Sequence, residues 1–355
     1  MTDSSVDWTA ESILVTGGTG SFGHAFIQHA LEHLHPRQLT VFSRDELKQF
    51  QMRQEWPLDT YPNLRFFIGD VRDRDRLARV LDGVSTVVHA AALKQVPTAE
   101  QNPLEAIKTN VFGAANVIDA AIDRGVRRVL ALSTDRAASP INLYGATKLC
   151  SDKLFVAANA HVQRLPTRFS VVRYGNVLGS RGSVIPYFLA QRSTGRLTLT
   201  DPRMTRFLIT LGHAVTFVIE SLERMTGGEI FVPKIPSVRI TDLARVIGPE
   251  CDQKVIGIRP GEKLHEVLIT EDDARMALDF GDHYVIQPGH TSWLPDAFRE
   301  SPEGRSCPDG FRYSSDTNAR WLTDEEIEQM VYLVQSSPSR EVVPRPDEPT
   351  FVLGT

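Results

Sequence analysis

Six short apolar runs, spaced so that a helix fits between neighbours, constrain this chain more than any other feature. They are ILVTGG (13–18), LTVFSR (39–44), LRFFIGDV (64–71), STVVHAAA (85–92), RRVLALST (127–134) and FSVVRYGN (169–176). The runs are near-continuous and rich in Val, Leu and Phe, as parallel strands covered on both faces must be. Between them lie helical patterns. Over 104–122, Ile107, Val111, Ala114, Ala115, Ile118 and Ala121 recur at helix spacing, and Gly125 closes the segment. Such alternation predicts an α/β fold: a doubly wound parallel sheet with right-handed crossovers.

After about residue 178 the rhythm changes. Residues 178–206 read as loop-rich with scattered arginines, 212–225 as a helix, and GGEIFVPK (227–234) as a strand returning to the sheet. The expected organisation is a nucleotide-binding domain over 11–177, with 212–240 rejoining it. A smaller discontinuous lobe takes 178–211 and 241–335. The tail 336–355 carries Pro and charge without periodicity and is expected to be loosely held.

At 355 residues the chain can bury a large core. A net charge of −5 provides no global positive field for nucleic acid or an anionic membrane, so neither is an expected partner. Cys150, Cys251 and Cys307 lie far apart and fit neither a zinc pattern nor a disulfide framework, so no metal is expected and a reducing compartment is favoured. The N-terminal residues carry acids where a signal peptide would carry bases, and no apolar run is long enough to span a bilayer. The expected location is the cytoplasm.

ILVTGGTGSFG places Gly17, Gly20 and Gly23 between the first strand and a helix. Glycine there allows a tight turn and close approach to a pyrophosphate, and the helix N-terminus attracts the anion. A dinucleotide is the expected ligand. The second strand ends with Ser43 and Arg44, with Lys48 one helical turn on, where an NAD site usually has an acidic side chain. A hydroxyl and two cations suit a 2′-phosphate and favour NADP; the alternative is an ordinary solvated helix start. Asp70, in GDV after the third strand, either reaches the adenine or serves as a cap. The full cofactor-side set is Gly17, Thr19, Gly20, Ser21, Phe22, Gly23, Ser43, Arg44, Lys48, Asp70, Val71, Ala90, Ala91, Ala92, Lys94, Asn110, Tyr144, Lys148, Tyr174 and Asn176.

Tyr144 and Lys148 form a Tyr-x-x-x-Lys pair on one helix face. An ammonium beside a phenol lowers its pKa and makes tyrosinate a credible base. The segment around them, STDRAASPINLYGATK (133–148), resembles bacterial nucleotide-sugar dehydratases of the 5-inverting UDP-N-acetylglucosamine 4,6-dehydratase family. FSRDELKQ (42–49), AALKQVP (91–97), NPLEAIKTNVFGAANV (102–117), RYGNVLGSRGSVIP (173–186), TDPRMTRF (200–207), RPGEKLHE (259–266) and YSSDTN…WL (313–322) resemble the same family in the same order.

The resemblance implies a Rossmann fold of the extended short-chain dehydrogenase type and a homo-oligomer. It also implies a redox-neutral cycle on UDP-N-acetylglucosamine with tightly bound, recycled NADP. Tyr144, assisted by Lys148, would take the proton of the 4-hydroxyl while hydride leaves carbon 4, and Thr134 would polarise the 4-oxygen. Asp135 would protonate the departing 6-hydroxyl after carbon 5 loses its proton, and hydride would return to carbon 6. The family's base for carbon 5 is a lysine after the aspartate, where this chain has Arg136. Guanidinium keeps its proton, so Arg136 either holds a developing enolate or pairs charge with Asp135 or the cofactor.

Substrate-side matches are Lys94, Thr134, Asn176, Val177, Val184, Ile185, Thr200, Met204, Arg206, Arg259 and Glu262. Arg206 and Arg259 suit a pyrophosphate clamp, because their forks match phosphate oxygens; surface cations are the alternative. Glu262 equally suits an ordinary PGEK turn. Competing functions are a 4-epimerase, a 5,6-dehydratase prompted by Arg136, and an NADP-sensing scaffold. Asp135 argues against the first and the intact Tyr144–Lys148 pair against the last.

Overall fold

The computed structural model describes residues 6–179, 183–289 and 304–336. The six apolar runs form β1 Ser12–Thr16, β2 Gln38–Ser43, β3 Leu64–Ile68, β4 Thr86–His89, β5 Arg128–Thr134 and β6 Arg168–Tyr174. They lie parallel in the order β3-β2-β1-β4-β5-β6, the doubly wound arrangement with helices on both faces. Ile13, Leu14 and Val15 of β1 are fully buried, which explains why these strands are apolar without alternation.

Strand Ile230–Pro233 continues the sheet parallel to β6, as its sequence suggested. Strands His283–Ile286, Ala277–Asp279 and Arg305–Ser306 then add antiparallel at the same edge. That corrects one expectation: residues 277–286 do not lie wholly in a separate lobe. Ala277 and Ile286 are buried and join the apolar core of the main sheet. The tail 337–355 lies outside the described residues.

A second apolar cluster gathers Val184, Ile185, Phe188, Leu197, Met204 and Leu243 with their neighbours. Here, too, the expectation needs correction. The stretch read as loop-rich contains helix Val184–Arg192 and strands Arg196–Leu199 and Thr205–Ile209. Pro186 sits in the first turn of that helix, where its missing N–H costs nothing. Strand Thr205–Ile209 pairs with Asn176–Val177 on one side and Ser237–Arg239 on the other, tying this unit to the strand ends that carry the site.

The expected helix over 104–122 is interrupted. It runs as Pro103–Ile107, a π-helical turn Lys108–Phe112, and Gly113–Asp123. The wider turn includes Asn110, whose amide bonds both backbone groups of Leu93 at 2.8 and 2.9 Å and Thr147 Oγ1 at 3.0 Å. Asn110 thereby braces the loop after β4 against helix Leu143–Ala158.

Candidate active site

A cleft of ≈ 400 Å³ runs along the C-terminal ends of the parallel strands, from the glycine loop to Tyr144 and Lys148. At one end Gly17 turns with φ +64°, and a Cβ there would come within 2.9 Å of the Ala91 backbone. Helix Ser21–His29 begins beside it, with no side-chain cap and no acid in its first turn. Its first amides suit a pyrophosphate, so the donor set fits a dinucleotide.

The expected residues Thr19, Gly20, Ser21, Phe22 and Gly23 line this end. Beyond them come Ser43, Arg44 and Lys48 from the end of β2, Asp70 and Val71 after β3, and Ala90, Ala91, Ala92 and Lys94 after β4. Asp45 also lines the cleft, but its carboxylate accepts the Lys48 backbone N–H at 3.0 Å and caps helix Glu46–Glu55. Asp70 accepts from the Arg72 backbone at 2.9 Å and pairs with Arg72 and Arg44. Despite burial, which favours its neutral form, those contacts hold the carboxyl below its usual range.

At the other end, Thr134, Tyr144, Lys148, Tyr174 and Val177 line the cleft, whereas Asp135 and Arg136 sit just behind the wall with Asn110 and Asn176. Asp135 and Arg136 belong to a 3-10 turn, Asp135–Ala137, that follows β5. The helix bearing Tyr144 presses on that turn so closely that a Cβ on Gly145 would lie 2.3 Å from the Arg136 carbonyl oxygen. Asn142 caps the helix by accepting from Gly145 N at 2.8 Å, and donates to the Gly261 carbonyl at 2.8 Å. This helix is thus fixed at its first turn to both the Asp135 turn and the 259–266 segment.

Burial governs the protonation of these groups. It pushes the Asp135 carboxyl up to about 7; Glu266 adds to the rise, and Arg136, Lys263 and a Thr134 hydrogen bond oppose it. Thr134 Oγ1 donates to Asp135 Oδ1 at 3.0 Å, while Oδ2 is buried with no hydrogen bond among the described residues. A carboxyl so placed is still partly protonated at neutral pH and can donate that proton.

Burial also pushes the Tyr144 phenol up to about 12, contrary to the lowering expected from Lys148. The opposing cation is Arg136, with help from a Thr134 hydrogen bond. Lys148 is itself drawn below its usual value by burial, against the pull of Asp152. Its ammonium is too costly to desolvate to dominate the pair.

Arg206 needs a second correction. It is 1% exposed, and its guanidinium donates to the carbonyls of Thr205, Leu264 and Lys263 at 2.7, 3.0 and 3.0 Å. A fork spent on three carbonyls is a backbone brace, not a phosphate clamp. Met204 is buried in the second core, and its sulfur accepts from Thr200 Oγ1 at 2.9 Å. Ile185 is likewise core, 1% exposed. Val184, Thr200 and Arg259 meet at a separate small hollow together with Tyr187, Phe188 and Ile240. Glu262 accepts from the Arg259 backbone at 3.4 Å, and burial raises its carboxyl.

Several charged residues went unseen in the sequence. Asp152 is buried one turn beyond Lys148, accepts from Ser133 Oγ at 2.8 Å and pairs with the buried Arg173 at 3.4 Å. Extending the Tyr144–Lys148 face by four residues would have found it. Lys263 and Glu266 lie beyond the reach of local spacing, because they meet Asp135 only through the fold.

The family model described as polysaccharide biosynthesis protein matches residues 13–288. The chain belongs to this family. A relative from Campylobacter jejuni, named UDP-N-acetylglucosamine 4,6-dehydratase (inverting), is 50% identical over 90% of this chain and 97% of its own length. A Rickettsia canadensis relative named UDP-glucose 4-epimerase is 40% identical over 90% of this chain and 95% of its own. Among solved structures, the protein called Pen from Bacillus thuringiensis superposes with a TM-score of 0.83, at 36% identity, over 92% of this chain and 99% of that one. A dTDP-glucose 4,6-dehydratase from Streptomyces venezuelae, solved with NAD bound, gives a TM-score of 0.62 at 26% identity, over 71% and 86%. The family member described here is a nucleotide-sugar dehydratase on the extended short-chain dehydrogenase fold. Among the described residues, no helix is long and apolar enough to cross a membrane.

Proposed function

We propose that the protein is an NADP-dependent UDP-N-acetylglucosamine 4,6-dehydratase that inverts carbon 5. The observation that carries the reaction type is Asp135, a buried acid beside Tyr144 whose carboxyl is raised to about 7. An epimerase needs no proton donor for a departing 6-hydroxyl; a dehydratase does.

NADP, which the glycine loop with Ser43, Arg44 and Lys48 would hold, would supply the hydride chemistry at carbons 4 and 6. Tyr144 would take the proton of the 4-hydroxyl as tyrosinate, the form that Arg136 and the Thr134 hydrogen bond favour against burial, with Thr134 holding the same oxygen and Lys148 assisting from the same helix face. The 4-ketone that results would acidify the hydrogen on carbon 5, whose proton would pass to solvent water, and carbon 5 would take a proton back from solvent when hydride returns to carbon 6. Asp135 then delivers its proton to the 6-hydroxyl, which departs as water. Arg136 places a guanidinium beside this step and stabilises the enolate charge rather than removing the proton. The choice of NADP is supported by Ser43, Arg44 and Lys48 along the cleft, and by the commitment of Asp45 to a helix cap. Val184, Thr200 and Arg259 would hold the uridine diphosphate side of the substrate. A cytoplasmic homo-oligomer belongs to the same proposal, supported by the family resemblance and by three free cysteines.

The second reading, a 4-epimerase, has one observation in its favour: the Rickettsia relative that bears that name. Incubation of the purified protein with UDP-N-acetylglucosamine and proton NMR of the product separates the two. A 6-methyl group with a hydrated 4-ketone supports dehydration, and coupling constants at carbon 5 report inversion. A galacto-configured hexose as sole product would overturn the dehydratase.

A further inference from the structure

Behind the Asp135–Ala137 turn lies a cluster of charges for which the proposed reaction has no use. Glu266, 2% exposed, immediately precedes strand Val267–Ile269, which packs against the turn. Lys263 donates from Nζ to the Ala138 carbonyl at 2.6 Å, and the same nitrogen lies 3.8 Å from Glu266 Oε2. Arg206 holds the carbonyls of Lys263 and Leu264, with its Nε 3.9 Å from Glu266 Oε1. Glu266 Oε2 and Asp135 Oδ2 are both buried with no hydrogen bond. Two carboxylates in one water-poor space repel, and the least costly relief is for one of them to keep a proton. Glu266 has two cations within 4 Å, and burial together with Glu266 raises the Asp135 carboxyl.

We propose that Glu266 and Lys263 are positioning residues that set the proton affinity of Asp135, Glu266 holding the proton on and Lys263 drawing it off. The inference rests on the dehydratase reading, in which Asp135 gives that proton to the leaving hydroxyl. Lys263 also ties the turn in place through Ala138. The charged and titratable groups in the field of Asp135 are Glu266, Arg136, Lys263, Tyr144 and Arg206. Burial is the largest influence and raises the carboxyl; Glu266 raises it further, whereas Arg136 and Lys263 lower it. Glu266 and Lys263 therefore act on one proton with opposite sign, from a segment more than 120 residues away in sequence.

pH-difference infrared spectroscopy of the full-length protein tests this directly, using the protonated-carboxyl band that Asp135→Asn removes. Glu266→Gln should lower the midpoint of that band by roughly one pH unit, and Lys263→Met should raise it by a similar amount. The double variant should return close to the parent value. Shifts of the same sign, or a midpoint unmoved in both, would overturn the proposal. Each single variant tests its own half if the other does not fold. If the midpoints move as stated but the pH dependence of dehydration does not follow them, the acid role of Asp135 fails and the positioning role stands.

Discussion

The cofactor end of the cleft is built from the ends of β1 to β4, each contributing residues that are neighbours in sequence. The acid end draws on the Asp135 turn, the helix that carries Tyr144, and the 259–266 segment, joined only by tertiary contacts. The first end meets its ligand with backbone amides and partly exposed side chains; the second buries carboxyls, a phenol, a lysine and two arginines almost completely. Exposed charges are screened by solvent, so the cofactor end can recognise without reacting. Buried charges perturb one another, which is what proton transfer requires. Changes at the two ends should therefore fail differently: binding at one, turnover and its pH dependence at the other.

The largest effect falls at the acid end. Tyr144→Phe should lower kcat by about 10³- to 10⁴-fold with little change in cofactor affinity, measured by steady-state turnover and fluorescence titration. Comparable losses in both quantities would blur the distinction between the ends. Asp135→Asn comes next, with a loss of about 10²- to 10³-fold. The parent enzyme needs the protonated acid, which is present below the Asp135 pKa and lost above it. Its kcat should thus fall as pH rises through about 7, and that limb should be missing from the Asn variant.

At the cofactor end, Arg44→Ala should weaken NADP about 10- to 100-fold while leaving NAD nearly unaffected, because one charged hydrogen-bonding fork to the 2′-phosphate is lost. Equal losses for both cofactors would remove the basis for preferring NADP. The smallest change is expected from Arg136→Lys, which keeps the cation and should retain or raise dehydration. Arg136→Met separates the two roles of that guanidinium: a modest loss means charge pairing, whereas a loss of several orders of magnitude means stabilisation of the developing enolate.

The same contrast explains what the sequence could reveal. The parallel strands and the glycine loop were legible because their signals are contiguous: apolar runs and a strand–loop–helix order. Tyr144 and Lys148 were visible for the same reason, since a helix brings i and i+4 together. Asp152 was within reach of that argument. Arg206 was misjudged, because a sequence cannot distinguish an arginine fork aimed at phosphate from one satisfied by carbonyls. Glu266 carries no local spacing signal, and it is the packing of strand Val267–Ile269 against the Asp135 turn that brings it to the site. The direction of the Tyr144 shift was also out of reach, because desolvation by the surrounding fold outweighs the Arg136 guanidinium and the Thr134 hydrogen bond.

The central claim is that both ends of the cleft act on one sugar in a single closed cycle. UDP-N-acetylglucosamine deuterated at carbon 4 tests it most directly, with the product followed by NMR in ordinary water. The account predicts that the label moves within the molecule to the new 6-methyl group, while carbon 5 takes a proton from solvent. Deuterium retained at carbon 4 of the product, or a 6-methyl group without label, would contradict it.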